Sequence, residues 1–237
     1  MKQGLAVSYT NEGYDTTAYS ILERWLGAKY PELVKDSPPT NNLDRQALHQ
    51  RVTDLFLHAA QLSPEGQQMD SDVQVGLGVL FYGDEEYDKA VDCFNAALYS
   101  DYAREKNHLL WNRLGATLAN SGRSEEAIDA YAQALAINPN FVRARYNLGV
   151  SCINIGCFEQ AAQHLLGALA MHKVAEDKAR SDAQRMGMDP DRIIHNQSTN
   201  LFDTLRRVFS QMGRKDLAEK VMNGMDLDVF RTEFEFW

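Results

Sequence analysis

The chain has 237 residues, 44% of them hydrophobic, and a formal net charge of −9 at pH 7, which is ordinary for a soluble globular protein. The acidic balance argues against nucleic acid or anionic membranes as main partners and suits a basic ligand. No apolar run approaches the roughly 18 residues of a membrane span, and no signal peptide is expected at the N-terminus. The three cysteines lack metal-ligand spacing and are expected to be free thiols in a reducing compartment.

Residues 1–34 are predicted to form one copy of a helix–turn–helix repeat that is entered late. The repeat is numbered from its clearest copy, Leu109 to Pro139, in which Trp111 is position 4. In that frame Asn11 falls at position 13 and the opening half-turn is missing. Further repeats are therefore expected upstream of Met1.

Residues 35–70 are predicted to be a degenerate repeat. The stretch from Lys35 to Asn42 contains two consecutive prolines and is expected to be a loop. A helix is predicted from Asp44 to Leu62, with Phe56 and Ala59 at positions 24 and 27. Since the first helix of this copy is degraded, we expect the segment to act as a hinge that lets the halves of the array close on a ligand.

Residues 71–172 are predicted to contain three regular repeats, in which small or apolar residues recur at positions 7, 8, 11, 20, 24 and 27. Those at positions 7 and 8 are Leu77 and Gly78, Leu114 and Gly115, and Leu148 and Gly149. This is the pattern of the tetratricopeptide repeat (TPR). It predicts an all-α protein, a right-handed TPR superhelix closed by a C-terminal helical bundle.

The repeat register also predicts which side of each first helix faces a ligand. At about 100° per residue, positions 4, 7, 8 and 11 cluster on the packed side, and positions 2, 6, 9 and 13 lie opposite. In a stacked array the opposite side lines the concave surface, which solenoid proteins use for binding.

Residues 173–199 are highly charged and are predicted to be a long loop with some helical character. Residues 200–237 resume a repeat-like spacing and are expected to form closing helices and a tail. The tail carries Phe230, Phe234, Phe236 and Trp237, and it either caps the stack or docks a partner; capping is favoured.

Asparagine occupies the predicted concave side repeatedly. Position 13 holds Asn11, Asn120 and Asn154. In the first of the three regular repeats this position is Gly83, which provides no amide side chain. One interpretation is helix capping beside the following glycines. The other is an amide ladder that grips a peptide main chain, because each amide offers two donors and an acceptor. Capping does not explain Asn112 and Asn147, which lie a turn or more from any predicted helix end.

No catalytic constellation is present in the sequence. The six histidines are scattered, and none pairs with a cysteine or a carboxylate at ligand spacing. Phosphate-binding loops, dinucleotide fingerprints and nucleophile elbows are absent. We expect neither enzymatic activity nor a metal or cofactor.

Two families of binding TPR arrays are relevant. The carboxylate clamp for acidic chaperone tails matches only in part, since positions 5 and 9 hold Asn112 and Ala116 where it wants a basic residue and an asparagine. The stretches DVQVGLGVLFYGDEEYDKAVDCFNAAL, LLWNRLGATLANSGRSEEA and RARYNLGVSCINIG closely resemble the receptor family for the type 1 peroxisomal targeting signal, a C-terminal Ser-Lys-Leu-like tripeptide. The similarity covers most of residues 1–172.

This resemblance implies asparagines that grip the peptide, basic residues near its terminal carboxylate, and polar or acidic residues beside it. By position these are Asn11, Asn112, Asn120, Asn147, Asn154, Arg113, Arg143, Thr10, Glu12 and Asp203. Arg113 replaces the lysine usual in the family, which keeps the charge but alters the reach. Glu12 could pair with the basic penultimate side chain of the signal.

The resemblance implies a cytoplasmic receptor that cycles to the peroxisomal or glycosomal membrane. Its partners would be cargo proteins that end in such a signal, and docking proteins bound through regions absent from this chain. The alternative is a TPR adaptor or co-chaperone scaffold that binds another protein or a chaperone tail without a groove for a short targeting peptide.

Overall fold

The computed structural model describes residues 15–35, 43–62, 69–99, 105–187, 199–222 and 224–236, and within these ranges its regular structure is entirely helical. The all-α prediction is therefore confirmed. The helices are α1 (Asp15–Lys29), α2 (Pro31–Val34), α3 (Arg45–Gln61), α4 (Ser71–Gly83), α5 (Tyr87–Ala97), α6 (His108–Asn120), α7 (Ser124–Ile137), α8 (Val142–Asn154), α9 (Phe158–Arg185), α10 (Thr199–Gln211) and α11 (Lys215–Ala218), followed by a 3-10 turn at Leu227–Val229.

The chain divides into two compact units, Met1–Ser121 and Gly122–Trp237. In the first unit α3 packs against α1 and α4, α4 packs against α5, and α5 packs against α6. In the second unit α8 packs against α7 and α9, α9 against α10, and α10 against α11. Each unit is thus a row of helices in which neighbours along the chain bury each other's apolar sides, as expected for stacked helical repeats.

Glycine at position 8 allows the two helices of a repeat to approach closely. A Cβ placed on Gly78 of α4 would lie 2.5 Å from the ring of Phe94 on α5. A Cβ on Gly149 of α8 would lie 3.0 Å from the side chain of Leu165 on α9. Phe94 and Leu165 both occupy position 24. The predicted packed side of the first helix is confirmed in both units.

The turn after the first helix has a left-handed residue at position 15 in each unit. Gly122, Gly156 and Gly213 have φ values of 82°, 79° and 73°. The same position in the α4–α5 turn is occupied by Glu85, with φ of 60°. A side chain other than glycine costs roughly 1–2 kcal/mol in this conformation. The turn is retained because the Glu86 amide still donates to the Phe81 carbonyl at 2.9 Å, closing the helix end.

Helix α3 confirms the helix predicted within the degenerate repeat. An ion pair and an aromatic contact hold it against α1 in the first unit. Glu23 on α1 is only 8% exposed and forms an ion pair of 2.9 Å with Arg51 on α3. Phe56 on α3 stacks against Trp25 on α1, with ring centroids 5.9 Å apart. The hinge role of residues 35–70 stays a prediction.

The interpretation of residues 173–199 as a loop needs correction. Helix α9 runs without interruption to Arg185 and ends before Gly187, whose φ is 69°. Its second half is rich in alanine, lysine and arginine, which are strong helix formers. Residues 188–198 lie outside the described residues.

The aromatic tail packs onto its own unit, in agreement with the favoured capping interpretation. Phe209 on α10 stacks against Phe230 at a centroid distance of 5.6 Å. The ring of Phe234 also contacts that of Phe209, with centroids 5.6 Å apart. Phe209, Phe230, Phe234 and Phe236 are all buried. Arg214 also pairs with Glu233 of the tail.

We expect the Gly78→Ala substitution to lower the free energy of unfolding by about 1 kcal/mol or more, because the buried Phe94 ring must move to admit the new methyl group. The matched control is Gly27→Ala on α1, where the added Cβ meets Val34 at an ordinary 3.5 Å. That control should raise the stability by roughly 0.5–1 kcal/mol, since alanine is the better helix former. Urea unfolding followed by circular dichroism measures both, and equal effects would contradict the close packing.

The Glu85→Gly substitution should stabilise the protein by about 0.5–1 kcal/mol, because glycine relieves the left-handed strain while adding some entropy to the unfolded chain. Glu85→Ala keeps the strained backbone and should show no such gain. Thermal unfolding of the three proteins provides the comparison. A gain in the alanine variant equal to that in the glycine variant would assign the effect to the carboxylate rather than to the backbone.

Candidate peptide-binding site

Helix α6 carries three of the predicted site residues in the first unit. Asn112 is 9% exposed, Arg113 is half-buried, and Asn120 is exposed at the end of the helix. Arg113 and Asn120 are seven residues apart, so they lie on nearly the same side of α6, about 10 Å from each other along its axis. Asn112 is therefore embedded at the rim of the packed side, and the other two are accessible.

The Asn120 amide is already oriented by a neighbour. Its Nδ2 donates to the hydroxyl oxygen of Tyr82 on α4 at 2.8 Å. The Tyr82 ring is half-buried and makes an edge contact with Tyr87, with centroids 5.7 Å apart. Asn120 is the last residue of α6, as the capping interpretation required, but this amide hydrogen bonds to a side chain of another helix.

Arg113 is a cation in a partly dehydrated position. Burial lowers the pKa of its guanidinium to about 10, so the group is still charged at neutral pH. In the part of the chain that the structure describes, no carboxylate forms an ion pair with Arg113. A desolvated cation without an acidic partner is unfavourable in isolation, and an anionic ligand would relieve that cost.

Helix α8 carries three predicted site residues in the second unit. Asn147 and Asn154 are seven residues apart on nearly the same side of the helix, about 10 Å from each other along its axis. Asn147 is half-buried, whereas Asn154 and Arg143 are exposed. The Nδ2 of Asn154 donates to the hydroxyl of Ser124, the first residue of α7, at 3.3 Å. The arrangement at Asn120 thus recurs here, with a serine hydroxyl as acceptor.

Asp203 lies on α10 in the second unit and forms an exposed ion pair with Arg206 on the same helix, with atoms 2.6 Å apart. The hydroxyl of the next residue, Thr204, lies 3.5 Å from the hydroxyl of Tyr146 on α8. Helix α10 therefore approaches the side of α8 that carries the hydroxyl of Tyr146. The role of Asp203 in peptide binding stays a prediction.

Thr10, Asn11 and Glu12 lie outside the described residues, so the N-terminal part of the predicted site is untested. The structure places Asn112, Arg113 and Asn120 on one helix, and Arg143, Asn147 and Asn154 on another. That both sets line one groove remains a prediction.

Sequence reasoning missed two hydroxyl groups at the site, those of Tyr82 and Ser124. The register pointed only to positions 2, 6, 9 and 13, and Tyr82 falls at position 12, beside that stripe. The available signal was Gly83, which leaves position 13 of its repeat without a side chain next to a long tyrosine.

Among the described residues no cluster of three or more histidine, cysteine, aspartate or glutamate side chains could hold a metal ion. Burial raises the pKa of the Cys93 thiol to about 11, and burial together with the nearby Cys157 does the same for Cys152. No helix within the described ranges is long and apolar enough to span a bilayer.

Comparison with known proteins identifies what this arrangement resembles. A family model described as a TPR repeat matches residues 115–156. Over 98% of its length the chain is 63% identical to the peroxisomal targeting signal receptor of Yarrowia lipolytica and 55% identical to that of Candida albicans. It spans 37% and 38% of the length of those two relatives.

The fold is also found among solved structures. One described as the crystal structure of MamA protein superimposes with a TM-score of 0.56 and covers 95% of this chain and 98% of its own. The two sequences are 15% identical, so this likeness concerns the fold alone. Together with the matched repeat, it confirms the prediction of a TPR fold.

Proposed function

We propose that the chain, which belongs by homology to the peroxisomal targeting signal receptors, is the region of such a receptor that recognises cargo. Its ligand would be the C-terminal tripeptide of a cargo protein, of the Ser-Lys-Leu type. The relatives bear the name of a receptor, in agreement with the expectation that the chain is not an enzyme.

The observation that carries this proposal is the state of Arg113. Its guanidinium is partly dehydrated, and within the described ranges no acidic side chain neutralises it. A free C-terminal carboxylate would form a charge-assisted hydrogen bond with it, which is stronger than one between neutral groups. Arg143 on α8 is an exposed cation of the second unit and a second candidate partner for the ligand carboxylate.

The amides supply the rest of the recognition. Asn120 is accessible at the end of α6, and Asn112, embedded at the rim of the packed side, lies about 12 Å from it along the axis, close to the length of an extended tripeptide. Asn147 and Asn154 offer a similar spacing on α8. Because amides can pair with main-chain N–H and C=O groups, they would fix the position of an extended ligand without requiring one side-chain sequence.

The acidic character of the chain is consistent with a basic residue at the second position of the signal. A net charge of −9 favours a basic penultimate side chain. We further propose that the receptor binds cargo in the cytosol and cycles to the peroxisomal membrane, where docking proteins would bind segments outside this chain. An adaptor without a short-peptide groove is the competing function that the experiments below distinguish.

A fluorescent peptide ending in Ser-Lys-Leu should bind the chain, and its C-terminally amidated form should bind at least about tenfold more weakly, because the amide loses the carboxylate charge. Fluorescence anisotropy measures both affinities. In Arg113→Gln the difference between the two peptides should shrink, whereas Arg24→Gln, which removes an exposed arginine from α1, should leave it intact. Equal binding of the two peptides by the wild-type chain would refute carboxylate recognition.

Asn120→Ala and Asn154→Ala should each weaken binding of the free-acid peptide by more than about tenfold, since a buried peptide group would be left without its partner. Asn95→Ala, at an exposed position on α5, is the matched control and should bind like the wild type. Because the side chains of Asn120 and Asn154 are exposed, the three melting temperatures should be similar. Unchanged affinity in both groove variants would leave the amide ladder without a function and favour the adaptor.

A further inference from the structure

Tyr82 occupies the place in its repeat where an amide is missing. Position 13 of that repeat is Gly83, whereas the two following repeats have Asn120 and Asn154 there. The tyrosine precedes the glycine on α4, and its hydroxyl oxygen reaches the Asn120 amide nitrogen at 2.8 Å. A long side chain at position 12 thus brings a polar group to the amide at position 13 of the next repeat.

The hydroxyl of Tyr82 can donate one further hydrogen bond. Its oxygen accepts the proton of Asn120 Nδ2, and a phenol can also donate its own proton. Within the described part of the chain no acceptor takes that proton. Burial raises the pKa of Tyr82, so at neutral pH the phenol keeps the proton that it could donate.

The contact also fixes the orientation of the Asn120 amide group. With one Nδ2 hydrogen directed to Tyr82, Oδ1 and the second Nδ2 hydrogen are left for a ligand. The Tyr82–Asn120 pair therefore offers a hydroxyl donor and an amide acceptor beside each other. In an extended peptide the N–H and C=O of one residue point to the same edge, and such a pair complements that edge.

We propose that Tyr82 is a further peptide-binding residue, which orients Asn120 and donates its hydroxyl proton to a main-chain carbonyl of the bound peptide. This inference rests on the proposed function and adds to it a residue at a position outside the asparagine ladder. The exposed Asn120 amide and the half-buried Tyr82 ring are compatible with contact to a ligand.

The second unit, taken by itself, has a comparable arrangement. Asn154 donates to the Ser124 hydroxyl at 3.3 Å, and Ser124 is 8% exposed. A hydroxyl from a neighbouring helix therefore orients the amide at position 13 in both units. The amide at position 13 is thus paired with a hydroxyl in both units, although the two hydroxyls come from different residue types and different positions of the repeat.

The test is the affinity of the chain for a fluorescent peptide ending in Ser-Lys-Leu, measured by anisotropy. Tyr82→Phe removes the hydroxyl and keeps the ring, and it should weaken binding about three- to tenfold, the loss expected for one or two neutral hydrogen bonds. Tyr87→Phe is the matched control, because it lies in the same ring contact without a hydrogen bond to Asn120. It should bind within about twofold of the wild type.

A double-mutant cycle separates a binding role from a structural one. Because Tyr82 would act together with Asn120, the Tyr82→Phe, Asn120→Ala double variant should bind more tightly than the product of the single effects predicts. Melting temperatures should be the same for Tyr82→Phe and Tyr87→Phe. Independent single effects, or a lower melting temperature in Tyr82→Phe alone, would overturn the proposal.

The remaining outcomes are also decisive. Equal or tighter binding by Tyr82→Phe would show that the hydroxyl is neutral or only occupies Asn120 in the free protein, and it would overturn this inference while leaving the proposed function intact. Failure of the wild-type chain to bind the peptide at all would overturn both.

Discussion

The contact between a glycine at position 8 and a large side chain at position 24 sets the geometry on which the rest of each repeat depends. Where Gly78 meets Phe94, an added methyl group would require the ring to move, and where Gly149 meets Leu165 the neighbouring side chain would have to give way slightly. Because this contact fixes one side of the first helix against its partner, the opposite side is left for polar residues. The position of Asn120 and Asn154 on their helices therefore follows from the packing of the other side.

The proposed peptide site is built from amides, and the side chains of such a site must be satisfied before a ligand binds. Hydroxyls solve this problem at position 13, since Tyr82 and Ser124 hold the amide nitrogens of Asn120 and Asn154. An amide already fixed in one orientation loses less side-chain entropy when a peptide binds. Arg113 differs from these residues, because its guanidinium is partly dehydrated and no carboxylate within the described ranges pairs with it. In the proposed function, amides that are already paired and the Arg113 cation would together favour an anionic chain end over a neutral one.

The repeat pattern predicted most of the helices because TPR positions are set by packing, which leaves a strong signal in sequence. Helix α3 within the degenerate repeat was also predicted correctly, from the spacing of Phe56 and Ala59. The prediction failed at α9, since its second half has no apolar period to detect. That half is mostly exposed, so helix propensity rather than packing stabilises it. The helix ends at Arg185, just before the left-handed Gly187. The many charged residues of this half had been interpreted as a loop, whereas its content of strong helix formers indicated a helix.

The sequence by itself determined the repeat, its register and the side of each first helix on which amides and arginines accumulate, because these follow from helical periodicity alone. Only the tertiary structure decided which groups hold the amides of Asn120 and Asn154. Tyr82 is 38 residues before Asn120, and Ser124 is 30 before Asn154, so no local pattern connects them. The dehydration of Arg113 likewise depends on atoms from other parts of the fold, since the desolvation of a charge is set by everything packed around it.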